Sequence, residues 1–155
     1  MRLSRHDRGR WTAVVALALA VAAPDALAVF TVNAPWIRLA GSGAAPEAYM
    51  ELRSSDGAVL AGVTGEGTTR VGIRGPGKDT AALDALPLPP GKAVTLGPGG
   101  YRLAITRTPR PLKLGDRVPL TLIVRDADGT WQDIAIIAEV RRRSPIDDEL
   151  RAHKH

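Results

Sequence analysis

This chain lacks the side chains on which most metal and nucleophile chemistry depends. Of its 155 residues none is cysteine and only His6, His153 and His155 are histidine. Disulfides, thiolate metal sites and cysteine nucleophiles are therefore excluded, and so is a histidine-based triad or zinc site between residues 7 and 152. Carboxylate chemistry through Asp79 and Asp84 is the remaining catalytic option, although acids beside turns usually form the turn. We therefore predict that the protein is not an enzyme.

Aromatic residues are scarce as well, at 4% of the chain. The formal net charge is +5, but four arginines and two aspartates fall within the first 28 residues. The remainder holds 17 basic and 14 acidic residues, a net charge of +3. With few rings for base stacking and a modest charge, we expect no nucleic-acid partner.

The N-terminal residues have the pattern of a secretory signal peptide. Four arginines precede an apolar run from Thr12 to Ala23, Pro24 ends that run, and Ala26-Leu27-Ala28 has the small-x-small form of a cleavage site. An uncleaved anchor is the alternative, but the run is shorter than the roughly 20 apolar residues that span a bilayer. The sequence predicts a signal peptide over 1–28 with cleavage after Ala28. The mature protein would then be periplasmic or secreted, without a transmembrane segment.

The rest of the chain consists of short runs rich in Val, Ile, Leu and Thr between Gly, Pro and Asp turns. This spacing predicts an all-β sandwich or barrel over residues 29–140. In the run from Tyr101 to Thr106, Tyr101, Leu103 and Ile105 share one face, which we expect to face the core. Arg102 and Ala104 lie on the other face.

The sequence from residue 118 to the end predicts a hairpin followed by a tail. Residues 118–125 and Trp131 to Val140 are joined by an Asp-Gly turn and should pair with each other. The tail over residues 141–155 opens with three arginines, which would contact anionic lipid, contact an acidic partner, or simply be solvated. Ser144 and Pro145 then have the form of a helix start, but a helix this short is marginal alone. We therefore expect a solvated tail, with a short helix as the alternative.

Six short segments, taken in order, form a characteristic set. The segments are Ala34-Pro35-Trp36-Ile37-Arg38, Glu47-Ala48-Tyr49-Met50-Glu51-Leu52, Asp56-Gly57-Ala58-Val59-Leu60, Leu86-Pro87-Leu88-Pro89-Pro90-Gly91, Gly99-Gly100-Tyr101 and Pro111-Leu112-Lys113-Leu114-Gly115-Asp116-Arg117-Val118. Together they resemble the periplasmic copper chaperones of the PCu(A)C family. The resemblance covers roughly residues 30–140 and implies a cupredoxin-like Greek-key β-sandwich or barrel. It also implies copper handling, with copper-delivery or oxidase-assembly proteins as partners.

The copper ligands of that family are missing from this sequence. In the family a His, a Met and a later His-x-Met hold Cu(I), and the resemblance places these positions at Arg74, Thr80, Arg102 and Ala104. An arginine stays protonated and has no lone pair to give, and alanine has no donor atom. Met50, the other methionine besides Met1, is interpreted as a core side chain. We therefore predict an exported copper-chaperone-like protein with no copper site in its body.

The alternative function is a non-metal binding or adaptor module on the same scaffold. Arg74 and Arg102 could lie side by side and bind an anion or carboxylate, because paired guanidinium groups suit such ligands. Alternatively, the two arginines are solvated or pair with Asp79 and Asp84.

His153 and His155 offer a second, weaker metal site on the tail. Two histidines on a mobile backbone would bind a metal weakly and without selectivity. The competing interpretation is an ordinary solvated terminus.

Overall fold

The chain folds into a barrel of β-strands followed by one short helix. The computed structural model describes residues 28–41, 44–77 and 81–153. The signal peptide predicted up to Ala28 falls almost wholly outside these ranges, so it stays a prediction. The elements are β1 Phe30–Arg38, β2 Glu47–Ser54, β3 Ala58–Gly65, β4 Arg70–Arg74, β5 Ala82–Leu83, β6 Leu86–Leu88, β7 Ala93–Leu96, β8 Arg102–Arg107, β9 Arg117–Asp126, β10 Trp131–Arg141 and α1 Pro145–Ala152.

Seven of the strands close on themselves in the order β4-β8-β2-β1-β10-β9-β3. Closure comes from Thr64 of β3, which lies opposite Arg70 of β4. The β1–β10 pair is parallel and its neighbours are antiparallel, while β5, β6 and β7 attach to β4, β3 and β2. The prediction of an all-β fold is confirmed, and β9 and β10 form the hairpin expected from their Asp-Gly turn.

The core follows from the alternation of apolar residues along the strands. Every second residue of β9 from Val118 to Val124 is buried, as are Leu103 and Ile105 of β8. Tyr101 is half-buried and packs against the same core. Burying each such leucine or isoleucine contributes roughly 1.5–3 kcal/mol. The face of β8 that was predicted to point inward therefore does so.

A bulge in β1 sets the side chains near the candidate site. Ala34 has a φ of 46°, the one positive φ of a non-glycine residue in the described ranges. The register of β1 against β2 shifts between Asn33 and Trp36 at this point. Beyond the shift Ile37 is fully buried in the core, and Trp36 lies on the opposite face, in register with Tyr49.

Residues 145–152 form α1, the short helix that the sequence left open as the alternative to a solvated tail. The Ser144 side chain accepts a hydrogen bond from the Ile146 N–H, and Pro145 occupies the first turn, so the start of the helix is capped as its sequence allows. Asp148 also meets Arg141 of β10 at 3.5 Å. This tertiary contact adds to a local signal that we judged too weak alone. Even so, no residue of α1 is buried.

Within the described ranges there is no helix with the length and apolar character needed to cross a membrane.

Candidate functional site

Strands β4 and β8 bring the predicted site residues together on the outer face of the barrel. Arg74 lies directly opposite Arg102 in the antiparallel register, and Gly72 lies opposite Ala104. The intervening Ile73 and Leu103 point into the core. Three of the four positions that the resemblance assigns to copper ligands are therefore neighbours. The fourth, Thr80, lies outside the described residues.

The guanidinium group of Arg102 is enclosed by acceptors. Its Nε lies 2.8 Å from a carboxylate oxygen of Glu47. One terminal nitrogen donates to the carbonyl oxygens of Gly75 at 2.8 Å and Gly100 at 3.2 Å, and the other donates to that of Gly77 at 3.3 Å. The side chain is only 12% exposed. One guanidinium thus links β2, the segment after β4 and the turn before β8.

Glu47 is the centre of a wider polar network. Besides Arg102 it pairs with Arg38 at 3.1 Å and accepts a hydrogen bond from the Tyr49 hydroxyl. Burial raises the pKa of Glu47, but the Tyr49 hydrogen bond and the two arginines outweigh it, so the pKa is lowered overall. The carboxylate is therefore ionised at neutral pH. Burial, together with the hydrogen bond to this carboxylate, raises the pKa of Tyr49, which stays protonated.

Two aromatic rings extend this network toward β1. The rings of Trp36 and Tyr49 are 5.1 Å apart at an angle of 54°, and the Arg38 guanidinium lies 5.2 Å from the centre of the Tyr49 ring. Both rings are buried although they sit on the face away from the core. The Tyr49 ring thus contacts both Trp36 and Arg38, and its hydroxyl joins them to Glu47.

Arg74 has a different environment from its cross-strand neighbour. It is half-buried, and no ion pair among residues 28–41, 44–77 and 81–153 involves it. Of the two acids proposed as its partners, Asp84 is exposed and Asp79 lies outside the described residues. The acid found against Arg102 is Glu47, which the sequence analysis did not single out. The alternation of β2 carries the missed signal, because it places Glu47 and Tyr49 on one outer face.

The remaining candidate metal ligands lie apart from this site or outside the described residues. In the part of the chain that the structure describes, no group of three or more His, Cys, Asp or Glu side chains could hold a metal. Met50 is buried in the core, as interpreted from the sequence. His153 is exposed at the end of α1, and His155 lies outside the described residues. The acid described at the site, Glu47, is paired with Arg38 and Arg102.

Comparison with known proteins gives a family and a fold. The model of the LpqE-like family, described as lipoprotein LpqE-like, matches residues 30–135. No curated protein matches the chain.

Three solved structures, which represent two domains, have the same fold. The copper-bound PCuAC domain from PmoF2 is 24% identical, with a TM-score of 0.60 over 74% of this chain and 93% of that one. The apo form of the PmoF2 domain is 26% identical, with a TM-score of 0.58 over 72% of this chain and 89% of that one. The apo PCuAC domain from PmoF1 is 24% identical, with a TM-score of 0.60 over 74% and 94%. A cupredoxin-like fold is therefore established for this chain.

Proposed function

Because this chain belongs to the LpqE-like family, we propose that it is an exported protein of the copper-chaperone type that does not use the copper site of its PCuAC relatives. It acts as a binding module on the inherited scaffold and is not an enzyme. Its place is the periplasm or the extracellular space, as a lipoprotein-like family and the N-terminal signal pattern both favour. Copper-delivery or oxidase-assembly proteins are its candidate partners.

The observation that carries this proposal is the Arg102 network. A guanidinium group occupies the position of the first ligand of the family's His-x-Met pair and already binds Glu47 and three carbonyl oxygens. It contributes positive charge where a Cu⁺ ion would need a lone pair. Ala104 and Arg74, the adjacent ligand positions, also lack a lone pair that could bind a metal. The residues present thus disfavour copper at this face on both charge and donor chemistry.

A Cu(I) competition assay tests the proposal. The mature chain, residues 29–155, is titrated against a chromophoric Cu(I) chelator under anaerobic conditions. We expect that the wild type does not compete with the chelator for Cu(I). The variant Arg74→His/Arg102→His/Ala104→Met restores imidazole and thioether donors and should gain affinity. Tight one-to-one binding by the wild type would overturn the proposal.

The C-terminal tail requires its own control in this assay. His153 and His155 could bind copper weakly, so the same titration is run on a chain ending at Leu150. Weak binding that disappears on truncation belongs to the tail. Tight binding that survives truncation would reveal a copper site in the body.

An anion site is the second candidate function, favoured by the register that sets Arg74 opposite Arg102. Arg102 is engaged with Glu47, so Arg74 would supply most of the attraction for a carboxylate or phosphate. Titration with phosphate, followed by the chemical shifts of β4 and β8 amides, compares the wild type with Arg74→Ala and Arg102→Ala. Site-specific shifts that both variants abolish support an anion site. Identical behaviour of all three proteins rules it out.

A further inference from the structure

A cavity of about 480 Å³ opens at the end of the barrel where β3 turns into β4 and the loop after β8 returns to β9. One wall comes from the turn around Glu66 to Thr69, and the other from the loop 108–116 and the start of β9. Both apolar and charged side chains line it. The residues used below are the half-buried Leu112 and the charged Glu66, Arg110 and Arg117.

Two further arginines flank this cavity where β4 begins and β8 ends. Arg70 lies directly opposite Arg107 across the two strands, and both are exposed. Their chain neighbours Thr69 and Thr108 line the cavity. Like charges directly opposite each other on a sheet destabilise the pairing. Among the residues that the structure describes, no acid forms an ion pair with either arginine.

Two acids, Glu66 and Asp116, line the cavity, and Asp116 is already paired with a neighbouring arginine. Asp116 accepts hydrogen bonds at 2.9 Å from the Arg110 guanidinium and from the Lys113 N–H. These contacts lower the pKa of its carboxyl group, with the Arg110 hydrogen bond as the largest cause. Asp116 therefore neutralises Arg110 and leaves Glu66 as the other acid at the cavity.

The cavity rim and the opposite end of the barrel differ in charge. We define the cavity rim as Arg70, Arg107, Arg110 and Arg117 with the acids Glu66 and Asp116, four basic and two acidic groups with a net charge of +2. The opposite end, formed by the turns after β2, β6 and β9, carries three of each sign and no net charge. Its charged residues are Arg53, Lys92 and Arg125 with Asp56, Asp126 and Asp128.

We infer that the cavity rim binds an acidic segment of a partner polypeptide, with carboxylates on Arg70 and Arg107 and one apolar side chain seated beside Leu112. Charge complementarity selects the acidic character, and the cavity beside Leu112 selects a segment that projects an apolar side chain. An anionic lipid surface is the competing occupant, and vesicles in the test below distinguish it from a polypeptide. The inference does not depend on Arg74, Arg102 or Ala104, none of which is among the residues that define the rim.

The test uses a fluorescent peptide of glutamate and serine with one central leucine. Its binding to the mature chain is followed by anisotropy at low and high salt. The variant Arg70→Gln/Arg107→Gln should weaken binding by about tenfold or more. The matched control Arg53→Gln/Lys92→Gln removes the same charge at the opposite end and should change affinity by less than about twofold. Thermal unfolding checks that both variants are folded.

Two more probes separate the sources of affinity. Replacing the central leucine of the peptide by serine should weaken binding, and adding salt should weaken it further. Vesicles containing phosphatidylglycerol should not retain the protein in sedimentation. Equal losses in the two double variants, no peptide binding, or vesicle binding that depends on Arg70 and Arg107 would each overturn the inference. Copper titrations play no part in this test, so its failure would leave the proposed function standing.

Discussion

Strands β4 and β8 carry two pairs of arginines that face each other across the sheet, and the two pairs have different surroundings. At one pair, Arg74 and Arg102, the guanidinium of Arg102 is 12% exposed and is bound by Glu47 and three carbonyl oxygens. At the other, Arg70 and Arg107 are exposed and make no ion pair within the described ranges. The repulsion between two facing arginines is therefore offset by internal acceptors around Arg102, whereas no described acid offsets it at Arg70 and Arg107.

This difference separates two uses of positive charge on one scaffold. A guanidinium enclosed by acceptors holds distant segments together, and removing it leaves polar groups unpaired at a cost of a few kcal/mol. An exposed guanidinium contributes little to stability and can meet a ligand without first losing an internal partner. The Arg102 end is therefore expected to support the fold, and the Arg70 end to support binding.

The largest effect on stability is expected from Arg102→Ala. The substitution removes the link between β2, the segment after β4 and the turn before β8, and it leaves partly buried carbonyl groups unpaired. We expect the free energy of unfolding in urea to fall by about 2–3 kcal/mol. Arg70→Ala, on the same sheet, is the matched control and should cause no loss, because it removes one charge from an exposed pair of like charges. Equal losses in the two variants would end the distinction between the pairs.

A smaller effect is expected from Glu47→Gln. The amide keeps the shape of the side chain but removes the charge between Arg38 and Arg102, while the carbonyls around Arg102 remain. We expect a loss of about 1–2 kcal/mol at neutral pH, measured by urea unfolding. The double variant Glu47→Gln/Arg102→Ala should lose less than the sum of the two single losses, because the residues contact each other.

The stabilising effect of Glu47 should also depend on pH in a defined direction. Because the folded-state pKa of Glu47 is lowered, its contribution is fully present above its unfolded value of about 4.3. It is lost as the pH falls through the folded-state pKa. The stability difference between wild type and Glu47→Gln should therefore be constant from neutral pH down to about pH 5 and shrink below that. A difference that grew on acidification would contradict the network described here.

The strands could be predicted from the sequence because their information is local. The two-residue alternation assigned Leu103 and Ile105 to the core and Arg102 to the outer face, and the Asp-Gly turn predicted the β9–β10 hairpin. The hypothesis that Arg74 and Arg102 lie side by side also matches the register. Each of these features depends on neighbours along one strand or across one short turn.

The partners of the arginines could not be predicted because they come from pairings between distant parts of the chain. Glu47 reaches Arg102 because β2 lies beside β8, an order that no local pattern specifies. Arg70 meets Arg107 only after a register shift between Arg70 and Val71.

The smallest effect, and one of opposite sign, is expected from Arg107→Gln. Removing one charge from a like-charged cross-strand pair that has no described acid partner should raise the free energy of unfolding by about 0.2–1 kcal/mol at low salt. Added salt should erase the gain, because the repulsion between exposed groups is screened. Arg117→Gln, which removes a rim charge opposite Glu139 of β10, is the control and should give no such gain. A clear loss of stability in Arg107→Gln would mean that this arginine is held by the fold like Arg102, and the contrast between the two pairs would disappear.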